Sequence, residues 1–256
     1  MNRFFNIVRH LTVFSYLTLS ILFTPFCLAS AENTPDTDVI YQYIPEENAV
    51  AALFDSRQHA IENNKRLLVV LGAQWCHDSR GLAAQFSSEP MQEIIQNDYE
   101  VKFIDVGLLE DRRAITTQFN YPTYYATPTV MVIDPQTNTL LNADSMDKWA
   151  FADSVPPEDY VDYFGAFQNK ATNKPSALTQ YDVANAKRLQ NAYDILGPML
   201  GQDIAGNAPD GFYDLWKEVR TYRISLQKSL ATQAATYSED DGNKREAYGP
   251  FSWENE

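Results

Sequence analysis

One cysteine stands where a predicted buried strand gives way to a helix, and its surroundings favour nucleophilic chemistry. Leu67 to Leu71 form a continuous apolar run of strand length, which is typical of a strand buried on both faces. From Ser79 onward the apolar residues recur at spacings that suit one face of a helix, so Cys76 lies at the helix N-terminus. The unpaired N–H groups and the helix dipole at such a position stabilise an anion by about 0.3–1 kcal/mol, and a thiolate is an anion. The pattern therefore predicts a reactive thiol.

Two segments of the chain together resemble the thioredoxin superfamily. The first, directly after the buried strand, consists of Trp75, Cys76, His77, Asp78 and Ser79. The second runs from Ala126 to Asp134 and contains Thr127 and Pro128 ahead of another apolar run. The resemblance covers Val39 to Phe167. It implies an α/β fold with a mixed sheet and helices on both faces, and a cis peptide bond between Thr127 and Pro128.

The resemblance also implies roles for the residues of both segments. Cys76 is the expected nucleophile. The expected supporting or substrate-binding residues are Trp75, His77, Asp78, Ser79, Thr127 and Pro128. The superfamily's dithiol enzymes carry a second cysteine three residues after the first and a buried acid six residues before it. This chain has Ser79 and Val70 at those positions, so no dithiol cycle can run within the one chain.

Because Ser79 and Val70 depart from the dithiol pattern, three hypotheses remain for the function. The first is monothiol thiol–disulfide exchange, in which Cys76 forms mixed disulfides with a client protein or a small thiol and an external thiol resolves them. The second is a non-catalytic module that binds an extended peptide beside Pro128 through main-chain hydrogen bonds. The third is an assembly protein that acts through its C-terminal helices.

We predict no cofactor and no metal. After the first 31 residues the chain holds only His59, His77 and one thiol as soft ligands, too few for a closed tetrahedral zinc site. Monothiol glutaredoxins share a C-x-x-S motif and hold an iron–sulfur cluster between two chains, but the Trp75-Cys76 pair and the export signal described next disfavour that interpretation.

The first 31 residues have the organisation of a secretory signal peptide. Arg3 and Arg9 precede an apolar stretch from Leu11 to Phe26, and Ala29-Ser30-Ala31 follows as a cleavage site. Cleavage after Ala31 would also remove Cys27, which leaves Cys76 as the single cysteine. We therefore predict export across the inner membrane to the periplasm. The alternative is an uncleaved membrane anchor.

Charge and composition narrow the range of partners. The chain has a net charge of −14 at pH 7, which argues against nucleic acid and against anionic membrane surfaces as partners. With 45% hydrophobic residues, the chain can form a sizeable core. The oligomeric state is not predicted.

The hydrophobic periodicity and the residues that interrupt it indicate how the rest of the chain is divided into segments. Residues 32–38 form a polar linker, and residues 39–170 form the thioredoxin-like domain, which starts with a short edge strand over residues 39–44. Residues 176–236 form a helical appendage that packs on this domain or on a second copy. It opens at a predicted capping box, Thr179-x-x-Asp182. Residues 237–256 are charged and aperiodic, and we predict a disordered tail.

We expect the loop tyrosines Tyr121, Tyr124 and Tyr125 to pack in the core rather than line a groove.

Overall fold

The computed structural model describes residues 40–167, 178–236 and 248–254. The predicted signal peptide (1–31) and linker (32–38) lie outside the described residues, so they stay predictions. No helix among the described residues is long and apolar enough to cross a membrane.

A four-stranded mixed sheet forms the centre of the fold. Its strands are β1 (Arg66–Gly72), β2 (Tyr99–Asp105), β3 (Thr129–Asp134) and β4 (Thr139–Leu140). The order across the sheet is β2-β1-β3-β4. β1 runs parallel to β2 and antiparallel to β3, and β4 is antiparallel to β3. Val70 in β1 lies opposite both Phe103 and Val130. The predicted mixed sheet is confirmed.

Seven α-helices surround or extend the sheet in the described part of the chain. They are α1 (Ala49–Glu62), α2 (His77–Phe86), α3 (Glu89–Asp98), α4 (Arg113–Thr116), α5 (Pro157–Gly165), α6 (Gln180–Ile204) and α7 (Phe212–Thr236). Among the described residues, three 3-10 helices accompany them, at Thr117–Phe119, Met146–Ser154 and Ser252–Glu254. The second of these is kinked at Phe151.

Each face of the sheet is covered by helices, which explains why the centre of β1 is apolar at every position. Leu67, Val69 and Leu71 pack on one side with α1, α4, α6 and α7. Leu68 and Val70 pack on the other side with α2, α3 and α5. Each fully buried aliphatic side chain contributes about 1.5–3 kcal/mol relative to its exposed state. The predicted fold class, a mixed sheet with helices on both faces and a C-terminal helical appendage, is confirmed.

The C-terminal helices pack on the sheet core of the same chain. α6 begins at the predicted capping box, where the Thr179 hydroxyl accepts from the N–H of Asp182 and the Asp182 carboxylate accepts from the N–H of Thr179. Leu196 of α6 and Val219 of α7 belong to the same buried cluster as Val69 of β1. The appendage therefore packs on its own domain, while its predicted boundaries stay predictions.

The predicted edge strand over residues 39–44 is wrong for residues 40–44, which form no strand. The backbone N–H of Tyr41 donates to Ser87 Oγ at 3.3 Å instead of to a neighbouring strand. The rings of Tyr41 and Tyr43 pack against Phe103 of β2, with centroids 5.1 and 4.9 Å away. Ring packing takes the place of main-chain pairing here. Val39 lies outside the described residues.

The predicted disordered tail is wrong for residues 248–254, which pack against α6 and α7. Phe251 and Trp253 stack with ring centroids 4.2 Å apart, and Trp253 is buried. Arg188 of α6 forms an ion pair with Glu254 at 2.6 Å and donates to the carbonyl of Tyr248 at 3.0 Å. The aromatic side chains of Tyr248, Phe251 and Trp253 supply apolar surface. The prediction of disorder rested on the charged composition of residues 237–256, which does not indicate this surface. Residues 237–247 and 255–256 lie outside the described residues.

Candidate active site

Cys76 lies at the junction between β1 and α2, as the strand-to-helix pattern predicts. It is the N-cap residue of α2, with an extended backbone (φ −87°, ψ 125°). Its carbonyl accepts from the N–H of Arg80 at 3.1 Å, which closes the first turn of the helix. The residue is 9% exposed, so most of its side chain is buried.

The thiol contacts the second predicted segment. The Cys76 thiol donates a hydrogen bond to the carbonyl oxygen of Thr127 at 2.9 Å, and the Thr127 hydroxyl donates to the sulfur at 3.4 Å. The peptide bond between Thr127 and Pro128 is cis, as predicted, and both residues are buried. The fold thus brings together two segments that lie 51 residues apart in the sequence.

Ser79 occupies a tightly packed position on the first turn of α2. It is fully buried, and its hydroxyl accepts from the N–H of Ala73 at 3.3 Å. A Cβ atom at Gly72 would approach Ser79 Oγ to 2.6 Å, so glycine is required for this close contact. The Tyr43 hydroxyl donates to the Ser79 carbonyl at 3.3 Å, and burial raises the pKa of Tyr43 well above its usual value. The phenol therefore stays neutral.

His77 and Asp78 differ in exposure although they are adjacent. The side chain of His77 is 70% exposed, and its Nε2 lies 3.2 Å from Asp78 Oδ2. Asp78 is buried, and its Oδ1 accepts from the backbone N–H of Asp153 at 3.1 Å. Asp78 therefore ties α2 to the 3-10 helix at Met146–Ser154, while His77 is exposed to solvent.

Trp75 lies beside the thiol and links two other parts of the structure. Its indole N–H donates to the carbonyl of Gly107 at 2.7 Å. Its ring meets that of Trp216 on α7 edge to face, with centroids 6.1 Å apart. Trp75 therefore connects the site to the loop after β2 and to the helical appendage.

Cys76 opens into a cleft of about 380 Å³ whose walls come from distant parts of the chain. Trp75, His77, Asp78 and Thr127 line it near the thiol. Phe151 of the 3-10 helix also lines it, as do residues of α6 and α7, among them Trp216, Arg220 and Arg223. The C-terminal helices thus narrow the space in front of the thiol.

The sequence analysis missed the contribution of α7 to the site. The apolar periodicity of α7 includes Trp216 but gives no reason to set that stripe beside Cys76. Arg223 carried a signal that could have been used, since it lies between Val219 and Leu226 on the same apolar stripe. A cation on a core-facing stripe is unusual and indicates a specific role.

The loop tyrosines do not line the cleft, in agreement with the prediction that they pack in the core. Tyr121, Tyr124 and Tyr125 are buried. The ring of Tyr124 stacks on that of Tyr193 of α6 at 5.2 Å, and the Tyr193 hydroxyl donates to the Tyr124 carbonyl at 3.3 Å. Burial raises the pKa of Tyr193, and the neighbouring Arg223, which is hydrogen-bonded to it, acts in the opposite direction.

Among residues 40–167, 178–236 and 248–254, no group of three or more His, Cys, Asp or Glu side chains is placed to hold a metal ion. The chemistry that the described site offers is that of the Cys76 sulfur, which can attack a disulfide or be attacked as part of one. Ser79 cannot complete a dithiol cycle, because a hydroxyl forms no disulfide.

Comparison with known proteins places the site within a matched region. Residues 48–135 match the model of a family described as thioredoxin-like. No curated protein matches the sequence significantly. Among solved structures, the chain is similar to a disulphide isomerase from Xylella fastidiosa Temecula1, with 21% identity over 50% of this chain and 97% of that chain and a TM-score of 0.45. The family match includes both the Cys76 and the Pro128 segments.

Proposed function

Residues 48–135 of this chain belong to the thioredoxin superfamily, and from that premise we propose that the protein is an exported monothiol thiol–disulfide exchange protein with Cys76 as nucleophile. The observation that carries the proposal is the position of the Cys76 sulfur. It lies at the N-terminus of α2, within hydrogen-bonding distance of Thr127, and opens into a cleft.

The reaction exchanges one disulfide for another between a disulfide substrate and an external thiol, so the number of disulfide bonds does not change. The Cys76 thiolate attacks one sulfur of a disulfide, a new sulfur–sulfur bond forms to Cys76, and the old bond breaks. The departing sulfur leaves as a thiolate and takes a proton from water. A second, external thiol then attacks the mixed disulfide and releases Cys76.

Residues around the thiol have distinct parts in this proposal. The N-terminus of α2 and the hydrogen bonds with Thr127 position the sulfur in the cleft. Trp75 and Asp78 hold the walls of the cleft, and His77 lines it. Ser79 fixes the first turn of α2 and takes no part in the bond exchange.

The first prediction concerns the mixed disulfide. The purified protein, treated with bis(2-hydroxyethyl) disulfide, is expected to form a mixed disulfide that peptide mapping assigns to Cys76 and that added thiol removes. In Ser79→Cys, the mixed disulfide should fall by at least about tenfold, because a neighbouring thiol attacks at a far higher effective concentration than an external one. Intact-mass spectrometry measures both adducts.

Ser79→Ala is the matched control, since it changes the same buried position without adding a thiol. It should retain the mixed disulfide of the unmodified protein. A Cys76 that forms no adduct while the folded protein still binds its partners would contradict exchange and favour the binding-module hypothesis.

A further inference from the structure

Arg223 of α7 carries a positive charge to the wall of the Cys76 cleft. The residue is 9% exposed, and it lines the cleft. Within residues 40–167, 178–236 and 248–254, no carboxylate forms an ion pair with Arg223 or with its neighbour Arg220. A buried charge without a counterion is unfavourable, so this arrangement favours an anion from outside the chain.

The guanidinium groups are held in place by rings that also line the cleft. The Arg223 guanidinium lies 5.6 Å from the ring centroid of Trp216, and that of Arg220 lies 5.5 Å from the ring of Phe151. Tyr193 is hydrogen-bonded to Arg223, but a guanidinium has five N–H donors. Ring contacts orient the group while leaving donors at its edge for a carboxylate.

Two carboxylates also line the cleft, and both have partners within the chain. Asp203 accepts from the Tyr213 hydroxyl at 2.7 Å. Asp78 accepts from the N–H of Asp153 and lies beside His77. Neither pairs with Arg223, so its charge is not cancelled by direct contact.

The size of the cleft limits its occupant. At about 380 Å³, it falls at the lower end of the range of about 300–1,000 Å³ that is typical of small-molecule sites. Residues of α6 and α7 also line the cleft and limit its extent, so the space suits a compact molecule better than an extended polypeptide.

We infer that the cleft binds a small disulfide or thiol that carries a carboxylate, with the carboxylate on Arg223 and the sulfur facing Cys76. This inference rests on the proposed function and adds the substrate class. The net charge of −14 repels anions at long range, so a preference for an anionic reagent must come from local cations.

Three disulfides of similar size test the inference: dithiodipropionate is anionic, bis(2-hydroxyethyl) disulfide is neutral and cystamine is cationic. The rate of adduct formation at Cys76 is expected to be about tenfold higher for dithiodipropionate than for the neutral reagent, as a charged hydrogen bond allows. Arg223→Gln should abolish this preference, so that the ratio of the anionic to the neutral rate falls by about tenfold. Rising salt should also reduce the preference.

Lys217→Gln is the matched control, because it removes the same charge from an exposed position on α7 outside the cleft lining. It should retain the preference. If Arg223→Gln does not fold, the exposed Arg220→Gln serves as the second variant and should reduce the preference in part. Equal rates for the anionic and neutral reagents in the unmodified protein would overturn the inference while leaving exchange intact.

A binding measurement on a variant without the thiol tests the anion site independently of the exchange reaction. Dithiodipropionate should bind Cys76→Ser, which cannot react, and calorimetry should show this binding lost in the double variant with Arg223→Gln. If Cys76 reacts with none of the three reagents, the exchange proposal fails, and this calorimetric result alone supports or overturns the anion site.

Discussion

At the scale of single residues, the position of Cys76 could be predicted because its determinants are local. A buried strand, a short turn and a helix follow one another within Leu67 to Phe86, and periodicity alone locates the thiol at the helix N-terminus. Thr127 was expected through the family resemblance as a supporting or substrate-binding residue, and its hydrogen bonds with the thiol come from the structure. The role of Asp78 as a tie to Asp153 was not predicted, because that contact spans 75 residues.

Substitutions of Asp78 test whether its charge or its hydrogen bond to the N–H of Asp153 stabilises the fold. Asp78→Ala should lower the free energy of unfolding by about 1–2 kcal/mol, because the N–H of Asp153 loses its acceptor. Asp78→Asn should cost less, since an amide oxygen can still accept that bond. Urea unfolding of the two variants measures the difference. Equal losses would show that the bond to Asp153 does not stabilise the fold.

At the scale of elements, the existence of α6 and α7 followed from their apolar periodicity and the capping box at Thr179. Their position beside Cys76 did not follow, because docking depends on contacts between residues far apart in the sequence. Gly197 is one such point. It brings α6 so close to the loop after β2 that an added Cβ would lie 2.2 Å from the Leu108 carbonyl oxygen.

Gly197→Ala should therefore destabilise the protein although alanine favours helices. Displacing a backbone carbonyl costs about 1–3 kcal/mol by analogy with overpacked cores, and Pro198 further restricts a non-glycine residue before it. Together these exceed the gain of about 1 kcal/mol in helix propensity. Thermal or urea unfolding measures the net loss.

Gly201→Ala is the control on the same helix, one turn later. Its added Cβ would meet only the end of the Leu108 side chain, at 3.0 Å, and that end can move. This variant should be as stable as the original protein or slightly more stable. Equal destabilisation by the two substitutions would show that close approach at Gly197 does not position α6.

At the scale of the whole molecule, aromatic side chains explain the two places where the sequence prediction was wrong. Residues 40–44 pack through Tyr41 and Tyr43 rather than as a strand, and residues 248–254 pack through Phe251 and Trp253. Composition and periodicity report on main-chain regularity, whereas these segments are held by individual rings. The core also contains buried tyrosines, which should make the free energy of unfolding depend on pH in the alkaline range.

Burial raises the pKa of several tyrosines well above the usual value near 10. They include Tyr43, Tyr121, Tyr124 and Tyr125. These phenols stay neutral in the folded protein but ionise near pH 10 once the chain unfolds. Their contribution to stability is therefore complete below the unfolded pKa and is lost as the pH rises above it.

Above pH 10, the free energy of unfolding should fall by about 1.4 kcal/mol per pH unit for each tyrosine that ionises only on unfolding. Urea unfolding between pH 8 and pH 11, at about half-unit steps, measures the slope. Tyr121→Phe should reduce it, because that phenol is buried. Tyr213→Phe should change it less, since Tyr213 is exposed and its phenol can ionise in the folded protein. A slope that neither substitution changes would mean that alkaline unfolding is driven by repulsion among the acidic groups rather than by buried phenols.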